Sequence, residues 1–183
     1  TPRAVFEKDH LYGMRYDLLM RGSYPRELIF LRKRFKSWLY PARYMDEEGL
    51  KVGGVAVQAK LHLLDTDEAK GCLVTILNPG GEEGLQGSVS HSILSGAKHA
   101  LTFRMWNDPM PATFQNSEDA VTFKIPKARV SAVLLVERAT GSRSVHATAR
   151  FHREPKGAGI SIPVVNLSGK ETTSKVSILD DDG

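Results

Sequence analysis

The chain contains little that would support disulfide, membrane-spanning or common catalytic chemistry. A single cysteine, Cys72, excludes an intramolecular disulfide framework and favours a reducing compartment. No apolar run approaches the roughly 18 residues that a membrane-spanning helix requires. Because Cys72 opens the apolar run Cys72–Leu77, we expect its thiol to be buried and structural rather than reactive.

The sequence also lacks the signatures of the large enzyme classes. It has no Gly-x-Ser-x-Gly elbow, no phosphate-binding loop and no dinucleotide-binding fingerprint. Its six histidines do not pair with one another, with cysteine or with carboxylates at the usual metal-ligand spacings. We therefore expect a protein that is not an enzyme and has no metal or cofactor. The alternative, a β-sandwich enzyme, would need turn carboxylates that meet at one end of the fold, from the set Asp65, Asp67, Glu82, Glu83 and Asp108.

A long succession of short β-type segments occupies the chain between Gly53 and Arg153. Apolar or alternating stretches are separated at short intervals by Gly, Pro, Asn and Asp. This pattern predicts an antiparallel β-sandwich or jelly roll of about seven or eight strands. The predicted strands are about 53–64, 72–77, 88–94, 99–106, 120–125, 129–138, 143–152 and 159–166.

The best-defined hairpin is predicted between Val130–Glu137 and Ser144–Phe151. Residues 138–142 would form its turn, in which Gly141 supplies the positive φ that such a loop needs. Apolar and polar side chains alternate along the second strand, as is typical of a strand with one dry and one wet face. A further tight reversal is expected at 154–159.

One amphipathic helix is predicted at about 25–39, ahead of the strands. Leu28, Leu31, Phe35 and Trp38 recur at three- and four-residue steps and therefore share one face. We expect Phe35 and Trp38 to belong to the core, since they lie on this apolar stripe.

The chain is expected to form one folded domain with two flanking segments. The expected division is an N-terminal arm at 1–22, a β-sandwich domain with its N-terminal helix at 23–166, and a polar, acidic tail at 167–183. Within the domain, residues 43–51 are predicted to be an acidic linker between the helix and the first strand.

Positive charge is concentrated in the N-terminal part of the chain. Residues 1–44 hold ten Lys/Arg and four Asp/Glu, whereas residues 45–183 hold fifteen and seventeen. Cations mixed with aromatic residues favour contact with nucleic-acid phosphates and bases. The same pattern also fits a merely solvated helix surface, or a surface for a membrane or a protein partner. The candidate phosphate contacts are Arg26, Arg32, Lys33, Arg34, Lys36 and Arg43.

The order of features from Gly53 to Pro126 resembles the thirty-kilodalton superfamily of plant-virus movement proteins. Gly54–Leu61 (GVAVQAKL) is similar to the first family strand and Leu73–Pro79 (LVTILNP) to the second. Where the family has an acidic residue at the end of the second strand, this chain has Asn78. The segments that resemble the glycine-containing stretch and the strands after it are Leu85–Gly96, Leu101–Pro109 and Ala120–Ile125.

The resemblance implies a non-enzymatic viral protein that binds single-stranded RNA or DNA and carries the genome between cells. It implies self-association, location in the host cytoplasm, and peripheral membrane contact at cell junctions (plasmodesmata). A viral nucleoprotein or coat protein would be a further partner. The alternative is a viral coat or matrix subunit that acts by self-assembly.

Overall fold

The computed structural model describes residues 28–104, 109–147, 150–154, 157–161 and 164–168. The described chain is mainly β, with few helical residues. These are α1, residues 28–34, then α2, Lys36–Leu39, and one 3₁₀ turn, Gly141–Arg143. The strands are β1 Arg43–Asp46, β2 Leu50–Val52, β3 Gln58–Asp65, β4 Ala69–Leu77, β5 Gln86–Ser90, β6 His99–Arg104, β7 Met110–Pro111, β8 Phe114–Asn116, β9 Ala120–Lys124, β10 Val130–Ala139, β11 Val145–Ala147, β12 Arg150–Glu154, β13 Gly157–Ser161 and β14 Val164–Asn166.

The strands form two principal antiparallel sheets and two short strand pairs. The larger sheet has six strands in the order β1-β3-β4-β10-β6-β7, and the smaller has four in the order β2-β5-β9-β8. The short pairs are β11 with β14 and β12 with β13. Glu154 pairs with Gly157 across the second of these, so the chain reverses within the predicted segment 154–159, although residues 157–159 belong to β13.

Strand β10 lies in the middle of the six-stranded sheet. Leu134 pairs with Leu73 of β4 on one side and with Leu101 of β6 on the other. Both edges of β10 are therefore occupied, and the hairpin predicted between 130–137 and 144–151 is wrong. Gly141 does adopt the predicted positive φ of 56°, but it does so at the start of the 3₁₀ turn.

The inner face of the six-stranded sheet shares one hydrophobic cluster with the four-stranded sheet. Leu61, Val74 and Leu135 from the larger sheet lie in the same cluster as Val89 and Phe123 from the smaller one. All five are at most 2% exposed. Cys72 is fully buried in this cluster, which confirms the predicted structural thiol, and burial raises its pKa to about 12.

The outer face of the six-stranded sheet is covered over β4, β10 and β6 by the helical segment. Leu31, Phe35 and Trp38 are at most 2% exposed and cluster with Leu73 and Phe103. The Phe35 and Phe103 rings meet edge to face, with centroids 5.7 Å apart. The sequence prediction that Phe35 and Trp38 are core residues is confirmed, and residues 25–27 of the predicted helix lie outside the described residues.

The structure corrects several of the predicted elements. The predicted strand 88–94 is β5, Gln86–Ser90, and residues 91–94 are not strand, whereas β7 and β8 were not predicted. Residues 43–51 are not a linker, because β1 occupies Arg43–Asp46 and β2 begins at Leu50. β1 escaped detection because Met45 is its sole buried residue, so it shows no run of alternation. Residues 53–57 are not strand, since Gly54 has a φ of 96° and the next strand begins at Gln58.

The first residue of the predicted tail packs against the folded chain. Leu167, which the sequence assigns to the tail, is 2% exposed and packs with the helix-side cluster. Its backbone N–H donates to the Ser144 carbonyl at 2.6 Å. The rest of the predicted tail, residues 169–183, and the predicted arm, residues 1–22, lie outside the described residues.

Candidate nucleic-acid interface

The outer face of the six-stranded sheet remains open beside the helical segment, over β1 and β3. Since side chains alternate along a strand, Gln58, Lys60 and His62 point outward together, whereas Ala59 and Leu61 enter the inner core. Cross-strand pairing extends these positions into rows. Lys60 lies beside Thr75 of β4, and His62 lies beside Tyr44 of β1.

A cavity of about 720 Å³ lies between this open face and the helical segment, and we call it the groove. Its walls come from α1, α2, the turn that follows α2, and strands β1, β3, β4 and β10. The lining residues are Leu28, Leu31, Arg32, Leu39, Tyr40, Ala42, Tyr44, Gln58, Lys60, His62, Thr75, Ile76, Leu77, Val130 and Ser131. The groove thus combines two cations with aromatic rings and an aliphatic wall.

A network of charged side chains surrounds Lys60. Its Nζ lies 2.6 Å from Asp46 Oδ1 and 2.7 Å from Glu47 Oε1. The Tyr44 hydroxyl donates to Asp46 Oδ1 at 3.1 Å. The hydrogen bonds from Lys60 and Tyr44 hold the pKa of Asp46 below its ordinary value, and the two carboxylates raise the pKa of Lys60. Both members of the Lys60–Asp46 pair are therefore charged at neutral pH.

The backbone at Asp46 is shaped to orient this network. A bulge interrupts the pairing of β1 with β3 between Tyr44 and Asp46. Asp46 has a φ of 56°, and no other non-glycine residue in the described part of the chain has a positive φ. Such a conformation is uncommon, although Asp tolerates it better than most residues. The local strain favours a specific placement of the Asp46 carboxylate against Lys60.

One aromatic pair and one cation–π contact lie at the groove. The Tyr44 and His62 rings are tilted by 51° with centroids 5.3 Å apart. On the other side, the Arg32 guanidinium lies 5.7 Å from the centroid of the Tyr40 ring, within cation–π range. Tyr40 and Tyr44 are 56% and 57% exposed, so both rings are accessible to a ligand. Burial lowers the pKa of His62, which keeps its imidazole neutral at neutral pH.

The residues predicted from the sequence to contact phosphates do not lie together in the structure. Arg32 lines the groove. Lys33 and Lys36 are exposed and Arg34 is half-buried, and none of these three lines the groove. Arg43 is exposed on β1, where alternation places it opposite to Tyr44, and Arg26 lies outside the described residues.

Sequence reasoning missed the sheet side of the groove. Tyr44, Lys60 and His62 were not among the predicted contacts, although Gln58, Lys60 and His62 follow the period of two that marks one face of a strand. The pairing of Tyr44 with His62 depends on β1, which the sequence analysis took for a linker. The acidic residues Asp46 and Glu47 had been assigned to that linker, whereas they contact Lys60.

Among the candidate carboxylates that the structure describes, Asp65 and Asp67 lie at the opposite end of β4 from Glu82 and Glu83. Asp65 ends β3 and pairs with Lys70 near the start of β4, whereas Glu82 and Glu83 follow the far end of that strand. The nine residues of β4 span about 26 Å. Asp108 lies outside the described residues. Within the described ranges, no group of three or more His, Cys, Asp or Glu side chains is arranged to hold a metal ion.

Asn78 stands where the movement-protein family has an acidic residue, and its side chain has a structural role here. It is fully buried after β4. Its amide Nδ2 donates to the Glu82 carbonyl at 3.0 Å, and its Oδ1 accepts from the Glu82 N–H at 3.1 Å. These two bonds use both ends of the amide, so Asn78 closes the loop that follows the strand.

Comparison with known proteins leaves the chain without relatives on which an argument could rest. No family model, curated protein or solved structure matches it. In the portion of the chain that the structure describes, no helix has the length and apolarity to cross a membrane.

Proposed function

We propose that this protein is a non-enzymatic binder of single-stranded nucleic acid and that the groove is its binding surface. The observation that carries the proposal is the convergence of Arg32, Lys60, Tyr40, Tyr44 and His62 on one cavity beside an open sheet face. Proteins that bind single strands combine cations, which contact phosphates, with exposed rings, on which bases stack.

The charge around the groove supports the proposal. Residues 28–44, which form α1, α2 and the start of β1, contain five Lys/Arg and no Asp or Glu. Lys33 and Lys36 contribute to the positive potential around the groove without lining it. Such a potential raises the local concentration of a polyanion and speeds its association.

The arrangement of the two principal sheets favours a β-sandwich. Inner-face residues from both sheets share one buried cluster, as expected for two sheets packed face to face. The role in cell-to-cell movement of a viral genome rests on the resemblance to the movement proteins, and so do the expected self-association and membrane contact. The groove supports only the nucleic-acid part of that role.

The experiment is a salt titration of binding to a labelled single-stranded RNA, measured by fluorescence anisotropy, with a duplex of the same sequence as control. Wild type should bind the single strand more tightly than the duplex, and binding should weaken with salt. Arg32→Glu should weaken binding and make the slope of log K against log salt shallower by about 0.7 for the lost phosphate contact.

Two variants with the same change of charge make the test specific to the groove. Lys33→Glu alters an exposed neighbour in α1 that does not line the groove, and Lys51→Glu alters an exposed residue of the four-stranded sheet. Both should lose less affinity than Arg32→Glu. Equal losses of affinity in all three variants would mean that binding depends on the overall charge and not on the groove. No binding at low salt would overturn the proposal.

A further inference from the structure

The groove has an interior as well as a rim. Its volume of about 720 Å³ falls within the range of pockets that enclose small ligands, about 300–1,000 Å³. Contact with a phosphodiester backbone needs only exposed cations, such as Lys33 and Lys36 on the outside of the helical segment. The volume of the groove is therefore large enough for a ligand group to enter it.

The two walls of the groove differ in polarity. The helical segment contributes Leu31 and Leu39, and the far end of the groove contributes Leu77 and Val130. The sheet side contributes polar groups from Gln58, His62 and Thr75. An acyl chain would displace water from these polar groups and leave them without partners, which is unfavourable. A planar ring with apolar faces and polar edges satisfies both walls.

The polar wall offers both donors and acceptors. The Thr75 hydroxyl donates to the Lys60 carbonyl at 3.3 Å, so its oxygen remains able to accept a hydrogen bond. A neutral His62 has one donor and one acceptor nitrogen, and the Gln58 amide has both functions. Nucleobase edges likewise carry donors and acceptors side by side.

Arg32 supplies positive charge at the rim of the groove. Its guanidinium is held over the Tyr40 ring at one side, whereas Lys60, on the sheet side, is paired with Asp46 and Glu47. A base inside the groove would leave its sugar and phosphate at this rim, where Arg32 can contact a phosphate oxygen. Tyr44, beside His62, presents an exposed ring on which a base can stack.

We propose that the groove takes one splayed nucleotide of a single strand, with the base inside the groove and the phosphate at Arg32. This proposal rests on the proposed function and names the unit that the site recognises. It also explains how the protein would select single strands, because a base in a duplex must first leave its pair and its stack. The groove would then be a subsite for one nucleotide within a longer contact.

Competition with free nucleotides tests this subsite. The labelled single-stranded RNA is displaced with adenosine or uridine 5′-monophosphate, and in parallel with ribose 5-phosphate, which has the same phosphate and sugar but no base. The monophosphates should compete at concentrations about fivefold or more below those of ribose 5-phosphate, as expected for one stacked base. Tyr44→Ala should weaken the monophosphates by about 5- to 100-fold, whereas Lys51→Ala, an exposed change in the four-stranded sheet, should leave them unchanged.

The outcomes separate the two proposals. If the RNA binds but neither monophosphate competes better than ribose 5-phosphate, the nucleotide subsite is wrong and the proposed function stands. If the monophosphates compete equally well against wild type and Tyr44→Ala, the base does not stack in the groove, and the subsite is again wrong. If the RNA itself does not bind, both proposals fail.

Discussion

The outer face of the six-stranded sheet has two halves that share one backbone and differ in their side chains. Over β4, β10 and β6 the outward residues include Leu73, Leu134 and Phe103, and the helical segment covers them. Over β1 and β3 they include Tyr44 and Lys60, and the face stays open. The comparison teaches that the cover lies where the outward side chains are apolar, and that the groove forms where polar and charged side chains join them.

The largest expected effect comes from removing the cover. Trp38→Ala should lower the free energy of unfolding by about 3–5 kcal/mol, since the ring is 2% exposed between the helical segment and the sheet. Urea denaturation measures the loss. Lys36→Ala, an exposed change in α2, should stay within about 0.5 kcal/mol of wild type. A loss below about 1 kcal/mol for Trp38→Ala would mean that the helical segment does not hold the covered half.

A smaller loss of stability is expected from adding a methyl group where the sheet approaches the Trp38 ring. A methyl group added at Gly71 would lie 2.5 Å from the Leu135 carbonyl oxygen and 3.0 Å from Trp38 Cζ3. Gly71→Ala should therefore lower the free energy of unfolding by about 1–3 kcal/mol. Gly80→Ala is the matched control, because its methyl group would approach only the Glu82 side chain, at 3.7 Å. Equal stability of the two variants would contradict the close approach of Gly71 to the Leu135 carbonyl and the Trp38 ring.

In the open half, removing carboxylates should increase RNA affinity rather than reduce it. Asp46→Asn with Glu47→Gln should increase the affinity for single-stranded RNA, because Lys60 would no longer be neutralised by carboxylates. We expect a gain of about 1.5- to 5-fold for each carboxylate removed, the range of exposed charge pairs.

The control for that gain makes the same change of charge elsewhere. Asp65→Asn with Asp67→Asn removes two exposed carboxylates at and beyond the end of β3, outside the groove. Anisotropy titrations should show a smaller gain for this pair. The same gain in both double variants would show that only the net charge of the protein matters.

The smallest effect concerns pH. Burial lowers the pKa of His62 in the folded protein, whereas the unfolded chain should bind a proton near pH 6.5. Between these two pKa values the unfolded state therefore binds more protons than the folded state. The stability that the neutral imidazole contributes is lost as pH falls from 6.5 through the folded pKa.

The variant His62→Gln tests this sign. Compared with the variant, wild type should lose free energy of unfolding between pH 7.5 and pH 5.5, as urea denaturation at several pH values would show. A difference between the two proteins that does not change over this range would contradict the burial of His62 in the open half.

The covered half was more predictable from the sequence than the open half, for a physical reason. Burial leaves an apolar pattern, as in the stripe of Leu31, Phe35 and Trp38, and that pattern can be recognised locally. The run Val130–Val136 is apolar except at Ser131, a pattern that favours a strand buried on both faces. The hairpin prediction overlooked this, because it paired β10 with the next segment along the chain.

The open half depends on pairings between strands that no local pattern reports. Tyr44 meets His62 only because β1 pairs with β3, and Asp46 reaches Lys60 through a bulge. The cations of the helical segment were visible in the sequence. Their division into Arg32 at the groove and Lys33 and Lys36 away from it was not visible, because it depends on where the helical segment lies on the sheet.

The most direct test of the account is photo-crosslinking of the full chain to a single-stranded RNA that carries 4-thiouridine, with the linked peptides located by mass spectrometry. The account predicts crosslinks in the groove, at Tyr40, Tyr44 or His62, and their loss in Arg32→Glu but not in Lys51→Glu. Crosslinks confined to the four-stranded sheet, or unchanged in Arg32→Glu, would contradict the claim that the open half of the sheet is the nucleic-acid interface.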